Sequence, residues 1–436
     1  MSLAVLQGRS HERPFFYVYF FIVMWYNKWE KRNRGRMNAY IKKISVEDLT
    51  LGMFIEDVFN RDDVLLLSGD TVIENDGQIT NLRRQGVTSL YINTRKGKDV
   101  PQKIGDAAVV VDTITREVEY YKELEQAKEI QRTTIQTARD VLDSIRKGHP
   151  FSVSKVEDAA QNIVESILRN PDALISLSQI KGYDEYTYTH SVNVCVLSTS
   201  LAYSLGYNHE QLLQVCVGGV LHDIGKMRVP ESILNKPGKY AEWEFNIMKK
   251  HPEYGLEIAN EKKGITEFSK AIIIQHHERY NGKGYPRGLL GMEIAEIGLI
   301  GAVADVYDAL TSNRVYRAAW TPQKALAVIF QGCDEEYSRE IVERFTKQMG
   351  IYPVGSFVRL VSGEMGVVVR VDRGNLLSPM VLVLFDAAGN RLDQPVEYDL
   401  SKKQKEENGR LYTVEMSLNP RAYRVDVAPY IKEKII

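Results

Sequence analysis

Cysteine is scarce in this chain: three residues in 436, Cys195, Cys216 and Cys333, with no Cys-x-x-Cys pair. That excludes a disulfide framework and a zinc ribbon, and it is cytoplasmic usage. Net charge is scarce too. With 56 Lys+Arg against 57 Asp+Glu the formal balance is −1, so neither duplex nucleic acid nor an anionic membrane is expected as the main partner. A small anionic ligand stays open, because it answers to local charge alone. Long apolar runs are missing as well. Pro14 to Tyr26 covers 13 residues, short of the ~20 that span a bilayer. Its basic residues, Lys28, Lys31, Arg32, Arg34 and Arg36, follow it, the reverse of a signal peptide. Residues 1–36 are therefore read as a leader outside the native fold, with Met37 the natural start. A membrane-surface anchor through residues 14–26 and a partner-binding segment are the alternatives.

The most informative stretch is His276-His277-Glu278-Arg279-Tyr280-Asn281-Gly282-Lys283-Gly284-Tyr285-Pro286. The apolar run Ala271 to Ile274 before it reads as the end of a buried helix that delivers two adjacent histidines to its mouth. Gly282, Gly284 and Pro286 then break the helix into a constrained loop in which backbone can approach a ligand closely.

A prior of roughly 150 residues per domain makes this a multidomain chain. Residues 37–100 read as a small α+β regulatory domain, with short strands at Ile41 to Ile44, Met53 to Ile55, Val64 to Leu67 and Ser89 to Ile92, and a helix from Asp76 to Gln85 closed by Gly86. Residues 101–150 are a linker and an amphipathic connector helix, Val109 to Lys147, which either packs on the next domain or pairs with a second copy in a homodimer. From 151 to 350 helix follows helix: Val156 to Arg169, Tyr188 to Leu205, Glu210 to Leu221, Glu242 to Glu261, Thr266 to His277, Ile294 to Ser312 and Pro322 to Met349. That is an all-α bundle. Residues 351–436 alternate or run apolar between turns, at Ser356 to Leu360, Gly366 to Val371 and Met380 to Phe385, and read as a β-rich extension. The fold class is mainly α, with a small α+β domain before the bundle and a small β extension after it.

Six of the eight histidines fall in the bundle. His190 lies near one helix start, His222-Asp223 end the next helix, His251 is placed in mid-helix, His276-His277 follow, and Asp305 sits on a later apolar helix. A lone histidine on a helix is usually a surface or hydrogen-bonded residue. Recurrence on five elements of one small bundle points instead to a transition-metal site. Asp223, between two histidine-rich halves, is able to bridge two cations with its two oxygens. Two metals ~3.5–4 Å apart activate a water, hold it in line with phosphorus and neutralise phosphoryl charge, which is what phosphodiester hydrolysis asks for. Lys226, one turn after His222, is set to donate to the attacking oxygen or to a phosphate. Arg314 and Arg317, three apart and so on one helix face just beyond Asp305, are set to clamp phosphates. His209 lacks such partners and is left out.

His222-Asp223 with Gly225-Lys226, then His276-His277-Glu278 and Gly284-Tyr285-Pro286, resembles the HD-GYP family of cyclic-di-GMP phosphodiesterases over residues 150–350. Tyr40 to Asn93 resembles the small domain of unknown function often found ahead of such modules, and Tyr352 to Leu400 the strand-rich tail that often follows. The resemblance implies one metal on His190, His222, Asp223 and Asp305 and a second on Asp223, His251, His276 and His277, with iron or manganese as occupants. It makes Lys226 the lysine that assists hydrolysis and Asp184 an acidic residue near the bridging water. Arg314 and Arg317 would hold the dinucleotide phosphates. The Gly284-Tyr285-Pro286 loop would line the substrate site and contact diguanylate cyclase (GGDEF) domains. Family members with a third metal hold it partly by a glutamate four residues before the first histidine. Tyr186 stands there in this chain, so two metals are expected. The implied end product is linear pGpG or, after a second hydrolysis, GMP. The rivals are hydrolysis of another cyclic dinucleotide by a related HD-type enzyme, and a cyclic-di-GMP receptor with little turnover.

Overall fold

The computed structural model describes residues 41–46, 49–50, 53–59, 65–73, 79, 89–93, 108–180, 186–313, 318–371, 375–402, 412–427 and 429–431. The chain divides into two compact units that meet between Thr115 and Arg116. In the first, β1 (Ile41–Ser45), β2 (Phe54–Phe59), β3 (Leu65–Val72) and β4 (Ser89–Asn93) form an antiparallel sheet in the order β1-β4-β2-β3. The helix expected from Asp76 to Gln85 lies outside the described residues except for Ile79, which is helical and buried.

The second unit is a helical bundle. Its elements are α1 (Ala108–Arg146), of which it takes the part from Arg116 onward, α2 (Val153–Arg169), α3 (Pro171–Ser178), α4 (Tyr186–Ser204), α5 (His209–Leu221), α6 (Glu231–Leu234), α7 (Glu242–Met248), α8 (His251–Asn260), α9 (Glu267–Gln275), α10 (Glu296–Thr311), α11 (Pro322–Gln331) and α12 (Arg339–Met349). A single-turn 3-10 helix, Ile224–Arg228, follows α5. α10 is apolar all round and sits in the middle, buried from Ile297 to Asp308. The buried face of α1, with Tyr120, Leu124, Ala127, Ala138, Val141 and Leu142, joins the same core. Glu123 on that face is buried and paired, accepting from Ser166 Oγ at 2.6 Å and from Arg169 Nε at 2.6 Å.

Two expected helices are each split in two. The stretch from Glu242 to Glu261 breaks at Lys249-Lys250 because Pro252 lacks the N–H that a helix interior needs and is tolerated only in a first turn. His251 therefore opens α8 and is not in mid-helix. The stretch from Pro322 to Met349 breaks at Gly332, which caps α11, and restarts after Ser338. α3 was missed, although Asn170 caps it and Pro171 opens it, the usual start signals.

The tail forms a five-stranded antiparallel sheet in the order β8-β7-β6-β5-β9, from β5 (Phe357–Leu360), β6 (Met365–Arg370), β7 (Met380–Phe385), β8 (Arg391–Asp399) and β9 (Val414–Leu418). The last two strands were not expected. Phe357, Val367, Leu382 and Leu384 belong to the same apolar core as the helices, so the sheet is packed on the bundle. Among the described residues no helix is long and apolar enough to cross a membrane.

Candidate metal centre

Helix ends build the centre. His222 caps α5, His276 caps α9, and His251 follows the end of α7. The last carbonyls of a helix have no partner within it, and all three histidines use them. The Nδ1–H of His222 donates to Gly219 O at 2.8 Å, that of His251 to Met248 O at 2.8 Å, and that of His276 to Ile273 O at 3.0 Å. Each acceptor lies three residues back. Because a carbonyl only accepts, Nδ1 carries a proton in all three rings, so that in the neutral ring Nε2 is a bare lone pair aimed inward.

His190, on the second turn of α4, is held through Nδ1 by another route. Its Nδ1 meets Asp308 Oδ2 at 2.7 Å, and Asp308 is itself held by Asn193 Nδ2 at 2.8 Å. Sequence reasoning passed over Asp308. The signal was available, since it lies three residues after Asp305 on the same helix, where side chains share a face.

The inward nitrogens surround two carboxylates. Asp223 Oδ2 lies 3.3 Å from His222 Nε2 and 3.8 Å from His190 Nε2, while its Oδ1 lies 3.3 Å from His251 Nε2 and 3.8 Å from His276 Nε2. One oxygen faces each half of the cluster. Asp305 likewise turns Oδ1 to His190 Nε2 at 3.2 Å and Oδ2 to His277 Nδ1 at 3.7 Å. Lys226 donates to Asp223 Oδ2 at 2.5 Å.

Burial and charge set the protonation states. Burial opposes ionisation of Asp223, but Lys226 and His222 outweigh it and hold the carboxyl well below its usual range. Burial likewise opposes ionisation of Asp305, and His190 and His277 overcome it. Burial pushes His276 down to about 3, helped by His222 and His251, and lowers His251 and His277. His190 is the exception. Burial opposes its charge, yet hydrogen bonds to Asp305 and Asp308 raise it to about 9. Ionised carboxylates beside imidazoles that burial keeps neutral, those of His251, His276 and His277, are donors suited to a mid-row transition metal. Three overlapping groups, His251/His276/His277, His190/His222/Asp305 and His222/Asp223/His276, each have ligand atoms within 4.8 Å of one another. His222 Nε2 and Asp223 Oδ1 are buried without a hydrogen bond. Orphaned polar atoms at that depth are costly, and cations between them would remove the cost.

Two glycines let these parts close up. A side chain on Gly225 would run into His251 O and Gly255 N, and one on Gly284 into the backbone of Glu278 and Arg279. Glu278, buried, accepts from Arg287 N–H at 2.8 Å and Leu289 N–H at 3.1 Å, fastening the loop beyond Gly284. Tyr285 then lies against His277, ring centroids 4.7 Å apart, and is followed by Pro286. α10 closes at Thr311. Arg314, Arg317 and Asp184 lie outside the described residues.

Residues 163–341 match the HD domain model, residues 41–156 a domain of unknown function (DUF3391), and residues 357–406 a KOW domain associated with HD domains. A cyclic di-GMP phosphodiesterase of Pseudomonas aeruginosa is 34% identical over 356 residues, 80% of this chain and 86% of that protein. The chain belongs to the HD-GYP family. Two further relatives align over shorter stretches. A cyclic di-GMP phosphodiesterase response regulator of Xanthomonas campestris is 44% identical over 30% of this chain and 35% of its own length. A 3'3'-cGAMP-specific phosphodiesterase of Vibrio cholerae is 37% identical over 38% of this chain and 32% of its own length.

Proposed function

We propose that this HD-GYP protein is a metal-dependent phosphodiesterase that hydrolyses cyclic di-GMP to linear pGpG or onward to GMP. The observation that carries the reading is Asp223, with one oxygen turned to His190 and His222 and the other to His251 and His276. His190, His222, Asp223 and Asp305 would hold one ion, and Asp223, His251, His276 and His277 the other, iron or manganese in each place. Bound there, such ions lower the pKa of water and neutralise charge on phosphoryl oxygens.

The chain's own residues do the rest. Asp308 and the helix-end carbonyls of Gly219, Met248 and Ile273 hold the imidazoles in the ligand tautomer. Lys226, one quarter exposed, stands between Asp223 and solvent and donates to a phosphate oxygen as the ester bond breaks. Glu278 and Gly284 fix the loop that carries Tyr285 and Pro286 against the substrate side of His277. Arg314 and Arg317 bind the phosphates, and Asp184 orients the water. Residues 37–100 regulate the catalytic domain, 151–350, through the connector between them, and GGDEF domains dock on the Gly284-Tyr285-Pro286 loop. The unbridged thiols of Cys195, Cys216 and Cys333 suit the cytoplasm.

The test is anaerobic purification, a count of bound iron and manganese, and chromatography of the products from cyclic di-GMP. About two ions per chain with pGpG or GMP appearing is the expected result. Metal and intact dinucleotide bound without turnover would make the protein a receptor instead.

A further inference from the structure

The metal centre supplies hydrolysis but no means of reading a base. One wall beside it has the chemistry to do so. α7 is anchored by one face, where buried Glu244 accepts from Lys236 Nζ at 2.5 Å and from Ala241 N–H at 2.6 Å, and Met248 packs with Val229 and Ile233. Phe245 and Lys249, four residues apart, share the neighbouring face. Phe245 is 44% exposed, and the Lys249 ammonium lies 5.1 Å from its ring centroid. The ring of Tyr285 stands 6.4 Å from that of Phe245, edge to face at 80°, and 4.7 Å from that of His277. An aromatic path therefore runs from solvent to the donor cluster. A single exposed aromatic is ordinary on a protein surface. This one is presented by an anchored helix six residues before His251, carries a cation at its face, and continues into the site.

We propose that Phe245 stacks a purine base of the cyclic dinucleotide and that Lys249 selects guanine. The inference rests on the phosphodiesterase reading above. An exposed phenyl face accepts any base by stacking. An ammonium beside it favours guanine, whose O6 and N7 both accept, over adenine, which offers an N6 donor at the equivalent position. The two residues act on specificity and affinity, and the donor cluster keeps the chemistry.

The test compares wild type, Phe245→Ala, Phe245→Tyr and Lys249→Met for metal content, kcat and KM on cyclic di-GMP and cyclic di-AMP. Phe245→Ala is expected to raise KM for cyclic di-GMP about tenfold or more, with kcat and metal content near wild type, and Phe245→Tyr to restore it. Lys249→Met narrows the preference for guanine. An unchanged KM in Phe245→Ala, or a loss of metal and kcat with KM unmoved, would overturn the proposal, because the residue would then be structural or idle. A metal-loaded wild type with no turnover of cyclic di-GMP would remove the substrate reading and this inference with it. That failure is told apart because it appears before any variant is made.

Discussion

His251 and His276 point their Nε2 atoms at each other across 3.2 Å. Each ring has already given its proton to a backbone carbonyl through Nδ1, so two bare lone pairs face one another in a buried space. That contact repels until a cation sits beside it. Metal is therefore expected to stabilise the fold as well as to enable turnover. At a free metal concentration about 100 times Kd the gain is about 2.7 kcal/mol. Thermal unfolding with and without chelator measures it, and identical Tm values would mean that the cluster does not bind the ion tested.

Asp308 is fully buried, yet it fixes the orientation of His190 through Nδ1. Asp308→Asn replaces an acceptor by an amide that is free to turn its NH2 toward Nδ1, which leaves the ring without a defined orientation. A conserved fold with metal affinity or activity lowered about 10- to 100-fold is expected, the usual effect of removing a carboxylate behind a metal-bound histidine. Titration of the chelated protein with manganese, read beside the circular dichroism spectrum, separates this from unfolding.

Lys226 touches Asp223 directly at 2.5 Å but remains one quarter exposed, on the open side of the cluster. Loss of its charge should leave the histidines in place. Lys226→Met is expected to keep its metal while kcat falls about 10²- to 10³-fold, the cost of deleting one oriented donor from a charged transition state. Metal loss parallel to the loss of rate would show that the lysine serves only to hold Asp223.

How much of this was readable in the sequence depends on what kind of signal each part leaves. Helical periodicity gave α2, α4, α5, α9 and α10 to within a few residues, and β5 to β7 stood out because they are almost wholly buried. β8 left no such trace. It is mostly exposed and contains Pro395, so neither apolar alternation nor composition marks it. Residue types pointed to a metal centre, but the rule that organises it, an imidazole tethered to the carbonyl three residues back, is invisible until helix ends are known. Cys195 and Cys216 were read as isolated thiols. Helix packing brings their sulfurs to 2.7 Å, and Gly219 permits it, since a side chain there would strike Cys195.

Glu278 gives a prediction of a different sort, because it stabilises a loop without touching the donor cluster. Glu278→Ala leaves the N–H groups of Arg287 and Leu289 without their acceptor. Losing a hydrogen bond to a charged acceptor at a partly buried site costs about 1–3 kcal/mol. Gly284→Ala attacks the same loop from the other side, forcing a Cβ into the backbone of Glu278 and Arg279. Both are expected to lower Tm and turnover together, and the double variant to do little more than either alone, since the two residues fasten one structure. Fully additive effects in a double-mutant cycle would refute that coupling.

The pH dependence of the metal-free protein follows from opposed histidines. The folded-state pKa of His276 is held down to about 3, and those of His251 and His277 are lowered as well, all first by burial. An unfolded histidine titrates near 6.5, so below that pH the unfolded chain binds protons that the folded chain refuses, and stability falls as the solution is acidified. Asp223 and Asp305, both depressed, add to the loss once pH drops toward the unfolded carboxylate range. His190 works in the opposite sense. Its folded pKa of about 9 contributes stability that is complete below 6.5 and is lost as pH rises to about 9. Chelated protein should therefore unfold at its highest temperature near neutrality, with Tm lower at pH 5 and at pH 9. His190→Gln should remove the decline on the alkaline side and keep the acid one. An alkaline decline that survives His190→Gln would place the responsible group elsewhere in the chain.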